Sequence, residues 1–266
     1  MGALSGEPSG EGLAGPGPCA TRSILRCWGT RGSLPAARPS TNRYGGNTPC
    51  VEVRVEGRLF IFDAGSRIRT LGESLRREKG RTEADVFFTH YHRDHIHGFP
   101  FFGSLAYAPQ NLFRVWGERR GRTSVKDILA GQMAMPYFPV PLSAMRARIE
   151  VRDVGPGQTL ELGPATNRTQ ALNHPGKALS YRIEHGGHAI VYATDTEHGA
   201  RLDERLVRQR GRGGHPDLRR GLHPDHEIRH GRKGWGTPPG ARRPRWRGRP
   251  GCARCCCSTT SRNRQR

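Results

Sequence analysis

Six consecutive residues contain four side chains that can bind a metal ion: His90, His92, Asp94 and His95. An apolar segment at residues 84–88, expected to form a buried strand, leads directly into them. In an extended segment, residues i and i+2 point the same way, so His90 and His92 can reach one ion. If the chain then turns into a helix, Asp94 and His95 move towards a second position. The cluster therefore predicts a metal site at the end of a strand.

The surrounding sequence predicts strands and helices in alternation. The alternating segment at 50–55 and the apolar segment at 59–63, joined by a tight turn, predict a hairpin. Further strands are expected at 24–29, 84–88, 113–116, 148–151, 180–184 and 189–193, and helices at 67–79 and 124–133. This mixture of hairpins and interleaved helices predicts an α/β sandwich in one domain, residues 23–207.

Both ends of the chain differ from this domain in composition. Residues 1–22 are rich in Gly, Pro, Ser and Ala, which predicts a disordered N-terminal extension. Residues 208–266 contain 17 Lys and Arg against three Asp and Glu, in a chain of net charge +21. We interpret this segment as a basic tail of low order. Nucleic-acid binding through the Arg-rich tail is the alternative, and it predicts salt-sensitive binding.

The sequence also suggests where the protein acts. It has no apolar run long enough for a membrane span and no secretory leader pattern, so we expect a cytoplasmic protein without a membrane partner. Cys19, Cys27 and Cys50 are scattered and are expected to be reduced thiols. The four cysteines at residues 252–257 lack a partner pair at zinc-finger spacing, so no structural zinc site is expected there.

The pattern at residues 90–95 resembles the signature of the metallo-β-lactamase superfamily. The similarity continues in chain order: Asp-Ala-Gly at residues 63–65 is similar to the family's buried Asp-x-Gly, His174 to its downstream His, and Asp195 to its bridging Asp. It covers roughly residues 24–207. The resemblance implies the αββα metallo-β-lactamase sandwich, with Asp63 as an anchor for the ligands.

Two further segments, residues 28–33 and 44–50, resemble the branch related to class II cyclic-nucleotide phosphodiesterases and tRNA 3′-processing nucleases. The resemblance implies two divalent metal ions. Zinc is favoured by His and Asp ligands, with manganese or iron as alternatives. The first ion would be held by His90, His92 and His174, and the second would be served by Asp94, His95 and Asp195, with Asp195 bridging.

The same resemblance implies an enzyme, a hydrolase that uses a metal-activated hydroxide, with Asp94 as the catalytic residue that orients it. Its expected substrates are phosphodiesters. Hydrolysis of esters, thioesters or lactones in small-molecule substrates is the alternative, because two metal ions can serve either chemistry.

The family pattern breaks near the C-terminus, where the last metal-ligating His has no counterpart in a comparable setting. Back-translation offers an explanation: moved by one base, codons for residues 255–264 can read Leu-Leu-Phe-His-His-Glu-Pro-Glu-Pro. Displaced frames also turn residues 237–240 into His-Ser-Thr-Trp and residues 214–226 into a strand and loop typical of this branch. Residues 227–236 fit the original frame. We hypothesise that frameshifts scrambled the segments on either side of them.

On this hypothesis, residues 208–266 are a scrambled remnant of the same domain, and the C-terminal portion of the fold is disrupted. The second metal site would then be incomplete. A catalytically impaired remnant is therefore a further alternative to an active hydrolase.

Overall fold

The computed structural model describes residues 23–41 and 45–196 together with Gln209. Its first sheet contains six strands: β1 (Ile24–Gly29), β2 (Cys50–Val55), β3 (Arg58–Phe62), β4 (Glu83–Phe87), β5 (Leu112–Gly117) and β6 (Arg148–Asp153). They lie side by side in chain order. The first three are antiparallel, which confirms the predicted hairpin, and β3 to β6 are parallel.

The second sheet is antiparallel and has four strands: β7 (Thr159–Leu162), β8 (Ala165–Leu172), β9 (Ala178–His185) and β10 (His188–Tyr192). Their order is β10-β9-β8-β7. The strands expected at 180–184 and 189–193 fall in β9 and β10, but the sequence did not predict β7 or β8. The buried residues of β8 include Asn167 and Thr169, so the strand lacks the alternation of apolar and polar residues from which strands are predicted.

Four α-helices are described: α1 (Ile68–Arg77), α2 (Arg93–Ile96), α3 (Ser104–Tyr107) and α4 (Val125–Gln132). Short 3₁₀ turns occupy Pro39–Thr41, Phe99–Phe101 and Leu142–Ala144. The two predicted helices are confirmed as α1 and α4. Ser124 caps α4 by accepting from the Asp127 backbone N–H, while the Asp127 carboxylate accepts from the Ser124 backbone N–H. This capping box explains where α4 begins.

Two apolar cores bury both faces of the first sheet. On one face, side chains of α1, α3 and α4 pack against the sheet, as Leu71 and Leu129 illustrate. On the other face, aromatic side chains of the two sheets meet, with the Phe87 ring 5.0 Å from that of Tyr181. On the second sheet, the Ser180 hydroxyl donates to Gln209 Oε1, and the neighbouring Tyr181 faces the core. The predicted α/β sandwich is therefore confirmed.

Residues 1–22, 42–44, 197–208 and 210–266 lie outside the described part of the chain. The disordered N-terminal extension and the scrambled C-terminal remnant therefore stay predictions. None of the helices in the described part combines the length and the apolar character that a bilayer-spanning helix requires.

The strand directions bring four strand ends together. Because β3 and β4 are parallel, Asp63 and His90 follow strands that end at the same edge of the first sheet. In the second sheet, β8 and β10 are both antiparallel to β9, so they run in the same direction. His174 and Asp195 therefore follow strands that end at the same edge of the second sheet, on either side of β9. Functional side chains typically gather at such carboxyl ends.

Gly98 allows α2 to pack against the segment after β3. Its φ of −78° suits any residue, but a Cβ added there would lie 2.0 Å from the Gly65 carbonyl oxygen. We expect Gly98→Ala to destabilise the protein by about 3 kcal/mol, because backbone would have to move. Gly131→Ala in α4 is the matched control, since its Cβ meets nothing within 4 Å. Urea unfolding of both variants tests this, and equal midpoints would contradict it.

Candidate metal centre

All six predicted ligands converge where these strand ends meet, in two groups. The first group consists of His90, His92, His174 and Asp195, and the second of Asp94, His95 and Asp195. Within each group, the candidate ligand atoms lie within 4.8 Å of one another. Asp195 belongs to both groups. The arrangement therefore provides two adjacent groups of candidate metal ligands that share one carboxylate.

The side chains also have the chemistry that a metal requires. His90 and His95 are buried, yet their Nε2 atoms lack a hydrogen bond of good geometry, with Asp195 Oδ2 at 3.5 and 3.3 Å. The His92 Nδ1 and His174 Nε2 atoms lie 3.1 Å apart. Two nitrogens that bind one zinc ion tetrahedrally are separated by roughly 3.3 Å. The residues present therefore fit divalent metal ions.

Asp63 holds His95, a member of the second group, through a contact with its Nδ1 atom. It is completely buried and has a φ of 58°, a left-handed conformation that Asp tolerates better than most residues. Its carboxylate lies 2.8 Å from His95 Nδ1 and accepts bonds from the Thr89 backbone N–H at 2.8 Å and the Tyr192 hydroxyl at 2.9 Å. A carboxylate on Nδ1 leaves Nε2 of His95 to face an ion.

Burial and neighbouring charges shift the pKa values of the ligands in opposite directions. Burial and the neighbouring His95 hold the pKa of His90 well below its usual value. Burial also disfavours the charged form of His95, but the negative charge of Asp63 and a contact with Asp195 raise its pKa well above that value. An ion bound at His95 would therefore have to displace a proton, so its affinity would fall as pH falls.

The pKa of Asp195 is shifted in the opposite direction to that of His95. Burial opposes its charged form, but the contact with His95 outweighs this and lowers its pKa. Its side chain keeps 20% exposure, and His92 is exposed as well. The cluster is therefore buried on the side of His95 and open to solvent on the side of His92 and Asp195.

Asp94 is fixed by the loop that follows β1. The Ser33 backbone N–H donates to Asp94 Oδ2 at 2.8 Å, across 61 residues of sequence. Ser33 has a φ of 72°, so the loop adopts a left-handed turn to present this donor. The Asp94 carboxylate is thus oriented by the backbone of this loop.

Sequence reasoning assigned no role to Ser33, Thr89 or Tyr192, although all three contact the ligands or their anchor. The Thr89 hydroxyl bonds to Asp63 and lies 3.1 Å from His90 Nδ1. Its position directly before the first His is the one signal that could have identified it. Ser33 contributes only a backbone group, which its side chain does not reveal.

Strand-end His and Asp ligands on a two-sheet α/β sandwich define a protein of the metallo-β-lactamase fold. The chain belongs to the beta-lactamase superfamily, because the sequence of residues 58–211 matches the family model described as "Beta-lactamase superfamily domain".

In sequence, the chain is similar to ribonuclease Z of Thermoplasma acidophilum, with 26% identity over 162 residues, 59% of this chain and 46% of that protein. It is also similar to ribonuclease Z of Halobacterium salinarum, with 40% identity over 72 residues, 27% of this chain and 20% of that protein. The matched region thus spans less than half the length of these relatives. Their names agree with the branch that the sequence resembles.

Two solved structures share the fold. A diphosphatase from the PhnP family superposes with a TM-score of 0.55 and 17% identity, over 82% of this chain and 79% of that chain. Human tRNase Z, short form, has a TM-score of 0.55 and 14% identity, over 82% of this chain and 85% of that chain. At these identities the likeness concerns the fold.

Proposed function

We propose that the protein is a metal-dependent hydrolase that acts on phosphodiesters. The observation that carries the proposal is the pair of ligand groups that meet at Asp195. Two adjacent cation sites are the arrangement that many enzymes use to cleave phosphate esters. The phosphodiester class is supported by the sequence relatives, whose names describe them as ribonucleases.

The two groups support a ligand assignment for each proposed ion. One divalent ion would be held by His90, His92 and His174, a second by Asp94 and His95, and Asp195 would contribute to both. Zinc suits this set of nitrogen and carboxylate ligands best. When bound, the ions supply Lewis-acid chemistry, because they polarise a phosphoryl oxygen and make water more acidic.

The chain's own residues prepare the site for an anionic substrate and a nucleophilic water. The bond from the Ser33 N–H holds Asp94, whose carboxylate can orient the water and accept its proton. The exposed edge of His92 lies on the open side of the site. A substrate phosphate would therefore approach the site from this solvent-exposed side.

Hydrolysis of a bis-aryl phosphate by the metal-loaded protein tests this proposal. We expect turnover that His92→Ala reduces by more than about 100-fold, since a direct ligand matters more than outer-shell groups, whose loss costs 10–100-fold. His92 is exposed, so the fold should tolerate its removal. His188→Ala is the matched control, because exposed His188 begins β10 and the site lies beyond that strand's other end.

Parallel assays with an aryl ester, a thioester and a lactone separate the substrate classes. Turnover of these alone would replace the phosphodiester assignment. Metal analysis distinguishes an active hydrolase from a catalytically impaired remnant, because a two-metal hydrolase is expected to bind about two equivalents of metal per chain. At most one equivalent without turnover would show an impaired remnant, and sequencing the coding DNA around codons 205–240 would then test the frameshift hypothesis.

A further inference from the structure

Arg120, three residues beyond β5, connects three separate segments around the first ligand group. Its Nη1 pairs with Glu118 Oε2 at 2.5 Å, and its Nη2 donates to the Lys177 carbonyl oxygen at 2.7 Å. Its guanidinium carbon lies 5.2 Å from the centre of the Tyr91 ring. Charge, hydrogen bonding and cation–π stacking thus fix one side chain in place.

The first connection leads to the ligand segment of the first sheet. Tyr91 lies between His90 and His92, and its hydroxyl donates to the Glu118 carbonyl oxygen at 2.8 Å. A Cβ on Gly117 would lie 2.5 Å from that hydroxyl, so the tyrosine packs directly on the end of β5. Arg120 covers the ring of this tyrosine and therefore restrains the segment that presents both histidines.

The second connection leads to the loop of the second sheet that carries His174. The Lys177 N–H donates to the His174 carbonyl oxygen at 2.9 Å, and Lys177 has a φ of 67°. This closes a compact turn between β8 and β9. The Arg120 bond to the Lys177 carbonyl oxygen anchors that turn to the first sheet, across 57 residues of sequence.

We propose that Arg120 is a positioning residue for the first metal site, which sets where His174 lies relative to His90 and His92. This inference rests on the ligand set of the proposed function. A planar guanidinium can pair with Glu118, donate to Lys177 and stack on Tyr91 at once, which an ammonium group cannot do with the same geometry. Through these contacts, Arg120 maintains the 3.1 Å distance between His92 Nδ1 and His174 Nε2.

Metal binding by the full chain tests the proposal without any activity measurement. The probes are Zn²⁺, with a chromophoric chelator as competitor, and Co²⁺, whose absorption spectrum reports the geometry of its ligands. We expect Arg120→Ala to weaken Zn²⁺ binding about 10–100-fold, the range for groups that orient ligands, and to alter the Co²⁺ spectrum. Arg120→Lys should restore only part of the affinity.

Arg119→Ala is the matched control, because the neighbouring Arg119 pairs with Asp153 and the Arg122 carbonyl oxygen, and these bonds involve neither Tyr91 nor Lys177. Unfolding of the metal-free variants shows whether both changes affect the fold equally. If Arg120→Ala has the same Zn²⁺ affinity and the same Co²⁺ spectrum as Arg119→Ala, the proposal is overturned. If wild type binds metal but cleaves no phosphodiester, the proposed function fails while this comparison still decides the role of Arg120.

Discussion

Asp195→Asn should weaken the binding of both metal ions at once. Asp195 is the one residue common to the two ligand groups, and it lies 3.5 Å from His90 Nε2 and 3.3 Å from His95 Nε2. An amide offers one neutral oxygen where the carboxylate offers two oxygens and a negative charge. We expect the tighter ion to lose more than about 100-fold in affinity, beyond the range for outer-shell groups, and the weaker ion to be lost during dialysis.

Asp94→Asn provides the contrast, because Asp94 belongs to the second group alone. Its metal loss should be confined to one ion. Titration calorimetry and metal analysis after dialysis measure both variants. If Asp195→Asn removes a single equivalent and leaves the other site at full affinity, Asp195 does not bridge, and the two groups are independent.

Asp63→Ala should cause the largest loss of stability of any single change near the site. It would leave the buried donors of Thr89, His95 and Tyr192 without their acceptor, a loss of roughly 1–3 kcal/mol each where no water replaces it. The φ of 58° adds about 1 kcal/mol of strain for alanine. Against a typical total of about 5–15 kcal/mol, most of the stability would disappear.

Asp63→Asn separates stability from ligand orientation. Asparagine tolerates the left-handed conformation and can still accept from Thr89, so we expect a much smaller loss of stability. Its uncharged amide does not hold the proton on His95 Nδ1 as a carboxylate does, so metal affinity should still fall about 10–100-fold. Urea unfolding and Zn²⁺ competition measure the two effects. Equal stability of the Ala and Asn variants would show that Asp63 acts chiefly through its charge.

The positions of the candidate ligands were predictable because the sequence places them next to recognisable strands. His90 and His92 follow the apolar strand β4, and Asp195 follows β10, so local patterning already indicated their positions. Strand β8 was not predicted because buried Asn167 and Thr169 interrupt the apolar alternation that marks a strand, and the short strand β7 buries Leu162 alone. The Thr169 hydroxyl donates to the carbonyl oxygens of Gly155 and Gln158, and no local sequence pattern records such tertiary contacts.

The supporting contacts could not be predicted for a related reason. Ser33 reaches Asp94 through a backbone N–H, and Arg120 reaches the Lys177 carbonyl oxygen, each across more than fifty residues. Serine and arginine are both compatible with a solvent-exposed loop, so neither residue type indicated a distant partner. Only the relative placement of the two sheets gives these residues their partners.

The ligands come from both sheets: His90, His92, Asp94 and His95 follow β4, whereas His174 and Asp195 follow β8 and β10. A bound ion would therefore cross-link the two layers, and the free metal concentration would enter the folding equilibrium itself. At one hundred times the dissociation constant, an ion that binds only the folded state adds about 2.7 kcal/mol to stability. The cellular lifetime of this protein would then depend on metal supply as well as on its own sequence.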